Sequence, residues 1–318
     1  MLSQRLVGWA SSIWLAVAGA AWAQNFPVKP VRIVTAEPGG GSDFTTRQIA
    51  QGLTASFGQQ VVVENRPSGV IPGEIVAKAQ PDGYTLLVFN TILWIGPLLQ
   101  KTPYEVARDF APVALIGSTP SVLVVNPALP AKSVGELVAM ARARPGELNY
   151  GSTGTGAANH LAAELFKSMA GINIVRVNYK GGSMALNGLL GGEVQMMFTT
   201  PITGAPHIKS GRLRVLAVTS PEPSALAPGA PTMAASGLPG YESTATYGMF
   251  APVKTPRLVV GRLHVAVVRV LHRPDVKEKF FNTGMEIVGG SPEQLAAVIR
   301  SDTARLSKLI KDTGMRVN

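Results

Sequence analysis

Strand and helix signals alternate along nearly the whole chain, and four of the switches from strand to helix run through a loop of glycine, serine and threonine. A chain patterned this way is bound to build sheets covered by helices on both faces. Residues 31–35 read as a strand and 44–57 as a helix, with Ile49, Leu53 and Phe57 on one stripe and Gly58 as the stop. Strand signals recur at 61–63, at 84–89 after the turn Pro81-Asp82-Gly83, and at 148–150, 174–178, 194–198 and 214–219. Helix signals recur at 159–170 and 184–190. Ser133-Val134-Gly135-Glu136 reads as a capping box that opens a helix to 144, stopped by Pro145-Gly146. Ser291-Pro292-Glu293-Gln294 opens the last helix, which runs to about Lys311 and is closed by Gly314. The expected fold class is α/β, with mostly parallel sheets.

The four junctions are Glu37 to Asp43, Asn65 to Gly73, Gly151 to Gly156 and Tyr179 to Ser183. In open α/β sheets such loops lie at the carboxyl ends of strands, where ligands bind. Glycine lets the backbone approach a ligand closely. A helix N-terminus adds unpaired N–H groups and the positive end of a dipole. Two or three such ends hold a carboxylate without any Arg or Lys. At the centre of the first loop, Gly40 is expected to hold a conformation or a close approach that a Cβ would spoil. The plain alternative is that these glycines only permit tight turns and helix caps.

The N-terminus carries Arg5, an apolar run at 6–18 and Ala21-Trp22-Ala23. This is the pattern of a secretory signal peptide over residues 1–23, cut after Ala23, and it predicts a periplasmic protein. The run is short for a spanning helix, which needs about 20 apolar residues. No later stretch is long and apolar enough to span, so a soluble mature chain is expected. The length of 318 residues suggests two domains. Boundaries are expected at Gly117-Ser118-Thr119-Pro120 and across 221–231, which is rich in Pro, Ala and Gly. These give 24–120 with 222–318 as one lobe and 121–221 as the other, facing each other across a cleft. Simple tandem domains fit the same boundaries.

The chemistry that can be excluded is broad. With no cysteine, disulfides, thiolate zinc sites, iron–sulfur clusters and cysteine nucleophiles fall together. His160, His207, His264 and His272 are scattered, with no metal-ligand spacing, so no metal site is expected. Gly151 to Gly156 is spaced G-x-x-G-x-G, not G-x-G-x-x-G, and the next strand ends without the acid that would hold a ribose. No phosphate-binding P-loop and no G-x-S-x-G elbow occurs, so neither a cofactor nor catalytic residues are expected. Asp43 could act as a base, but after a glycine pair it fits an N-terminal helix cap better. The net charge is +10, from 29 basic and 19 acidic residues. The excess is diffuse, without a Lys/Arg block or aromatic interleaving, which argues against nucleic acid.

Read in order, the junctions and their neighbours resemble a known family: the periplasmic solute receptors of tripartite tricarboxylate transporters, the Bug receptors. The resemblance is carried by PGGGSD at 38–43, VVVENRP at 61–67, AKAQPDGYTLLV at 77–88, RDFAPVALIG at 108–117, RPGELNYGSTGTG at 144–156, YKGG at 179–182, GRLRVLAVTS at 211–220 and FAPVKTP at 250–256. It implies a two-lobed, type II-like periplasmic binding protein, a monomer. Such a receptor holds a small organic carboxylate between its lobes and docks on integral membrane transporter subunits. Carried over by position, the first carboxylate site maps to Pro38, Gly39, Gly40, Gly41, Ser42 and Asp43. The second lobe contributes Ser152, Thr153, Gly154, Thr155 and Asn159, and Asn90 closes a strand whose equivalent often lines the cleft.

Three positions depart from the family pattern. Thr35-Ala36-Glu37 stands where an aromatic-Pro segment is usual, and the second loop lacks its usual Asn. Thr199-Thr200 replaces a usual Asp after the strand 194–198. Without that acid, the site at Thr199 is expected to disfavour amino-acid ligands. Two rivals use related folds differently: a sensor subunit that presents ligand to a two-component system, and a secreted α/β enzyme.

Overall fold

A computed structural model describes residues 26–314 except Ser68 and Thr155. The leader with its cleavage site therefore lies outside the described residues.

The chain first lays down β1 (Val31–Thr35), α1 (Gly41–Phe57), β2 (Val61–Asn65), α2 (Ile71–Ala77), β3 (Thr85–Asn90), α3 (Ile92–Leu99), α4 (Val106–Asp109) and β4 (Phe110–Pro120). It continues with β5 (Val122–Val125), α5 (Val134–Ala143), β6 (Asn149–Ser152), α6 (Ala158–Ala170), β7 (Val175–Asn178), α7 (Gly182–Leu190), β8 (Met196–Thr199), α8 (Pro201–Lys209) and β9 (Arg214–Val218). It ends with β10 (Thr244–Pro252), α9 (Arg257–Leu271), α10 (Pro274–Asn282), β11 (Glu286–Gly290) and α11 (Pro292–Thr313).

Two sheets result, ordered β11-β4-β10-β3-β1-β2 and β7-β6-β8-β5-β9. In the first, β2, β1, β3 and β4 run one way, against β10 and β11. In the second, β7, β6, β8 and β9 run one way, against β5 alone. Strand direction is thus mostly parallel, as the alternation implies, but each sheet is mixed. The antiparallel members are β5, which enters the second sheet, β10, which returns to the first, and β11, which follows β10 there.

Period-two alternation sets the layers. Leu86 and Val88 point into a core with α1 and α9, while Leu87 and Phe89 point into the core that also holds α3 and α11. In β5, Leu123 and Val125 join that same core, and Val122 and Val124 pack beneath α7. Both faces of these strands are buried, which is why they read as unbroken apolar runs. One core therefore passes from the first sheet to the second through α6 and α11.

The two sheets are joined where the crossing segments touch. The Thr219 hydroxyl accepts from the Ser121 backbone N–H at 2.7 Å and lies within reach of the carbonyls of Ser121 and Ser243. Residues 219–243 pack on both sides: Thr232 bridges to Val218 of β9, and Ser224 donates to Glu286 of β11 at 2.8 Å.

The capping signals hold. Ser133 accepts from the Glu136 N–H, and Ser291 with Gln294 forms a complete capping box. The Glu136 carboxylate bonds the Lys132 N–H, so the first box closes one residue further out. Several bounds differ from the reading. α1 begins at Gly41 rather than at 44, because Gly40 is extended (φ −85°, ψ 170°) and serves as N-cap. Gly41, Ser42 and Asp43 are thus the first helical turn, not loop.

Candidate functional site

In the second sheet β7, β6 and β8 are neighbouring parallel strands, so the helices that follow them all begin at one edge. The N-caps are Ala157 for α6, Gly181 for α7 and Thr200 for α8. All three ends open into one cavity of about 390 Å³. Its lining includes Ser121, Thr153, Asn159, Ser183, Thr199, Thr200 and Thr203 and, among the described residues, no Lys, Arg, Asp or Glu. Neither α6 nor α7 has a side chain capping its N-terminus, which leaves backbone donors directed at the cavity. On α8 the Thr200 hydroxyl accepts from the Thr203 N–H and lies 2.7 Å from its hydroxyl. Three positive dipole ends and six hydroxyls converge here without a formal cation among the described lining residues. That arrangement suits an anion of modest size.

A buried polar layer holds the Gly151 to Gly156 loop in place. Arg176, on β7, donates to the Ser152 hydroxyl at 2.7 Å and to the Thr153 carbonyl. The Thr153 N–H and hydroxyl both donate to Asn159 Oδ1, at 3.3 and 3.1 Å. The Gly156 N–H donates to His160 Nδ1 at 3.2 Å. His160 is held neutral, its pKa pushed down to about 4, first by burial and then by the Arg176 charge.

In the first sheet the loop before α1 is fastened by Asp43. Its carboxylate accepts from the Gly39 N–H at 3.0 Å, from Arg47 Nε at 2.9 Å and from Asn65 Nδ2 at 2.7 Å. Burial raises the Asp43 pKa, but the Arg47, Gly39 and Asn65 hydrogen bonds outweigh it and hold it below the usual range. The conformational role expected of Gly40 falls to its neighbours. Gly39 has φ +87°, and a Cβ on Gly41 would lie 2.4 Å from the Tyr247 hydroxyl oxygen. Gly40 has a negative φ and nothing nearer than 3.9 Å. Tyr247 in turn pairs with Asn90 across β10 and β3, in backbone register.

A second cavity, of about 330 Å³, lies between the β3–α3 junction, the start of α6, residues 242–245 and α11. It includes Asn90 and Gly154, and shares Ala157 and Ala158 with the first cavity.

The sequence-predicted residues are distributed as follows. Thr153, Asn159 and Thr199 line the cavity at the three helix ends, and Asn90 and Gly154 line its neighbour. Ser152 is fully buried and bound to Arg176, behind the loop. Pro38, Gly39, Gly40, Gly41, Ser42 and Asp43 line neither cavity, with Ser42 and Asp43 buried in the first turn of α1. Thr155 lies outside the described residues. Ser121, Ser183, Thr200 and Thr203 stand outside that set of expected ligand contacts, yet they line the first cavity. For Ser183 the signal was the fourth glycine junction itself. For Thr200 it was the pair Thr200-Pro201, an N-cap followed by proline at the first helical position.

Known proteins share this architecture. A family model described as the tripartite tricarboxylate transporter family receptor matches residues 45–315. A protein from the tcbD–tcbE intergenic region of Pseudomonas sp. (strain P51) is 39% identical over 298 residues, covering 92% of this chain and 89% of its own length. The solved structure of R. palustris Rpa4515 with adipate superposes with a TM-score of 0.73 at 34% identity, covering 92% of this chain and 99% of that one. The periplasmic binding protein BugD gives a TM-score of 0.71 at 30% identity, covering 92% and 99%.

Proposed function

Because this chain belongs to the tripartite tricarboxylate transporter receptor family, whose members are solute receptors rather than enzymes, we propose that it captures a small carboxylate between two lobes in the periplasm. It then delivers that ligand, as a monomer, to an integral membrane transporter of the tripartite type. The lobes are 24–120 with 222–318, and 121–221, a division supported by the separate sheets and by the crossings at Ser121 and Thr219. The observation that carries the reading is the convergence of three helix N-termini and six hydroxyls on one cavity whose described lining holds no charged side chain. Backbone dipoles and hydroxyls hold a carboxylate there. The adipate bound by the R. palustris relative is of the same chemical class. Periplasmic placement is supported by Ala21-Trp22-Ala23, and no described helix is long and apolar enough to cross a membrane.

The test is native mass spectrometry of freshly exported protein, followed by calorimetry with whatever co-purifies. A carboxylate is expected, and Ser183→Ala with Thr200→Ala should weaken its binding by at least about tenfold, one 1.4 kcal/mol step, while circular dichroism stays unchanged. A sugar or cation as ligand, or a folded double variant that binds as wild type does, overturns the reading. Exported protein should begin at Gln24, and uptake should fail when the transporter subunits are deleted.

A further inference from the structure

The cavity beside the helix ends is not built like the helix ends. Its walls carry Ile92, Ile95, Leu99, Leu161 and Leu306, and it borders the polar cavity at Ala157 and Ala158, which line both. Its charged groups gather on one side, where they already bind each other. Asp302 accepts from the Trp94 indole N–H at 3.1 Å and from Arg305, whose other terminal nitrogen lies 3.3 Å from Glu242. Two carboxylates therefore share one guanidinium, and a further carboxylate brought to this wall would meet a net negative charge. The guanidinium Nε is buried with no partner, a single donor that suits an uncharged acceptor.

From this we infer that the ligand is a monocarboxylate with an uncharged, apolar body, aromatic or alkyl, rather than a dicarboxylate. Its one carboxylate sits at the N-termini of α6, α7 and α8, and its body crosses Ala157 and Ala158 into the apolar cavity. The inference rests on the carboxylate-receptor reading and narrows it. The driving force for the body is removal of apolar surface from water, which a dicarboxylate of equal length would offset by burying a second charge.

Calorimetry with acetate, hexanoate, benzoate, malate and adipate separates the two levels. Hexanoate or benzoate should bind at least about tenfold tighter than acetate, and tighter than either dicarboxylate, well within what full burial of an alkyl chain supplies. Ile92 is exposed at the cavity edge, so the fold tolerates change there, and Ile92→Asp should lower the hexanoate-to-acetate affinity ratio. Glu242→Gln removes one negative charge from the far wall and should raise the affinity for adipate relative to hexanoate. If malate or adipate binds tighter than both monocarboxylates, or acetate matches hexanoate, the apolar-body inference falls and the receptor reading stands. If no carboxylate binds the folded protein, both fall.

Discussion

Replacing Gly41 by alanine tests whether the first helix turn is fitted against β10 as described. Two favourable terms come first: alanine in place of glycine in a helix gains about 1 kcal/mol, part of it from a less flexible unfolded chain. Against them, the new Cβ would lie 2.4 Å from Tyr247 Oη and 3.2 Å from its Cζ. Tyr247 is buried, its backbone paired to both β3 and β4, so its ring has little room to retreat. Overpacking of this kind costs about 1–3 kcal/mol. With the ring pinned, the upper part of that range applies, so the clash outweighs the gain and Gly41→Ala should be destabilised by about 1–2 kcal/mol net, a fall in Tm of roughly 2–6 °C for a chain of this size. Gly40→Ala is the control. With φ −85° and nothing within reach of its Cβ but Glu37 O at 3.9 Å, it should stay within about 0.5 kcal/mol of wild type. Tyr247→Phe removes the offending oxygen. The double variant should therefore be more stable than the sum of the singles by about 1–2 kcal/mol. Thermal and urea unfolding of the four proteins would refute the argument if Gly41→Ala matched wild type, if Gly40→Ala were the worse, or if the cycle showed no coupling.

Acid should weaken the second lobe through His160. Its folded pKa is lowered from 6.5 to about 4, so the unfolded chain takes up the proton first; stability is complete above about pH 6.5 and is lost towards pH 4, by up to roughly 3 kcal/mol. His160→Gln retains an acceptor for the Gly156 N–H, and urea unfolding at pH 7 and pH 4.5 should show this slope flattened. Trp94→Phe strips Asp302 of its indole donor in a buried setting, and should cost about 1.5–3 kcal/mol in the same assay. Ligand binding should lose less than about tenfold in affinity between low and high ionic strength, because dipoles and hydroxyls hold the anion rather than mobile charges. A loss of several decades would mean that a Lys or Arg clamp takes part.

What the sequence determined was local in origin. Apolar runs bounded by turn residues placed β1, β3 and β8, because strands buried on both faces carry no polar side to hide them. Ser133, Ser291, Gly58 and Gly314 marked helix ends because capping depends on backbone groups within a few residues. The glycine junctions marked the strand-to-helix loops for the same reason, and all four begin helices whose N-caps make no side-chain capping bond. The tertiary structure alone decided which of those ends share a cavity, since strand order in a sheet is set by packing between distant segments. It brought Thr200 and Thr203 beside Ser183 and Asn159, and it turned Ser152 away onto Arg176. It also transferred the strict glycine requirement from Gly40 to Gly41, because the atom that excludes a side chain there belongs to Tyr247, more than two hundred residues further along the chain.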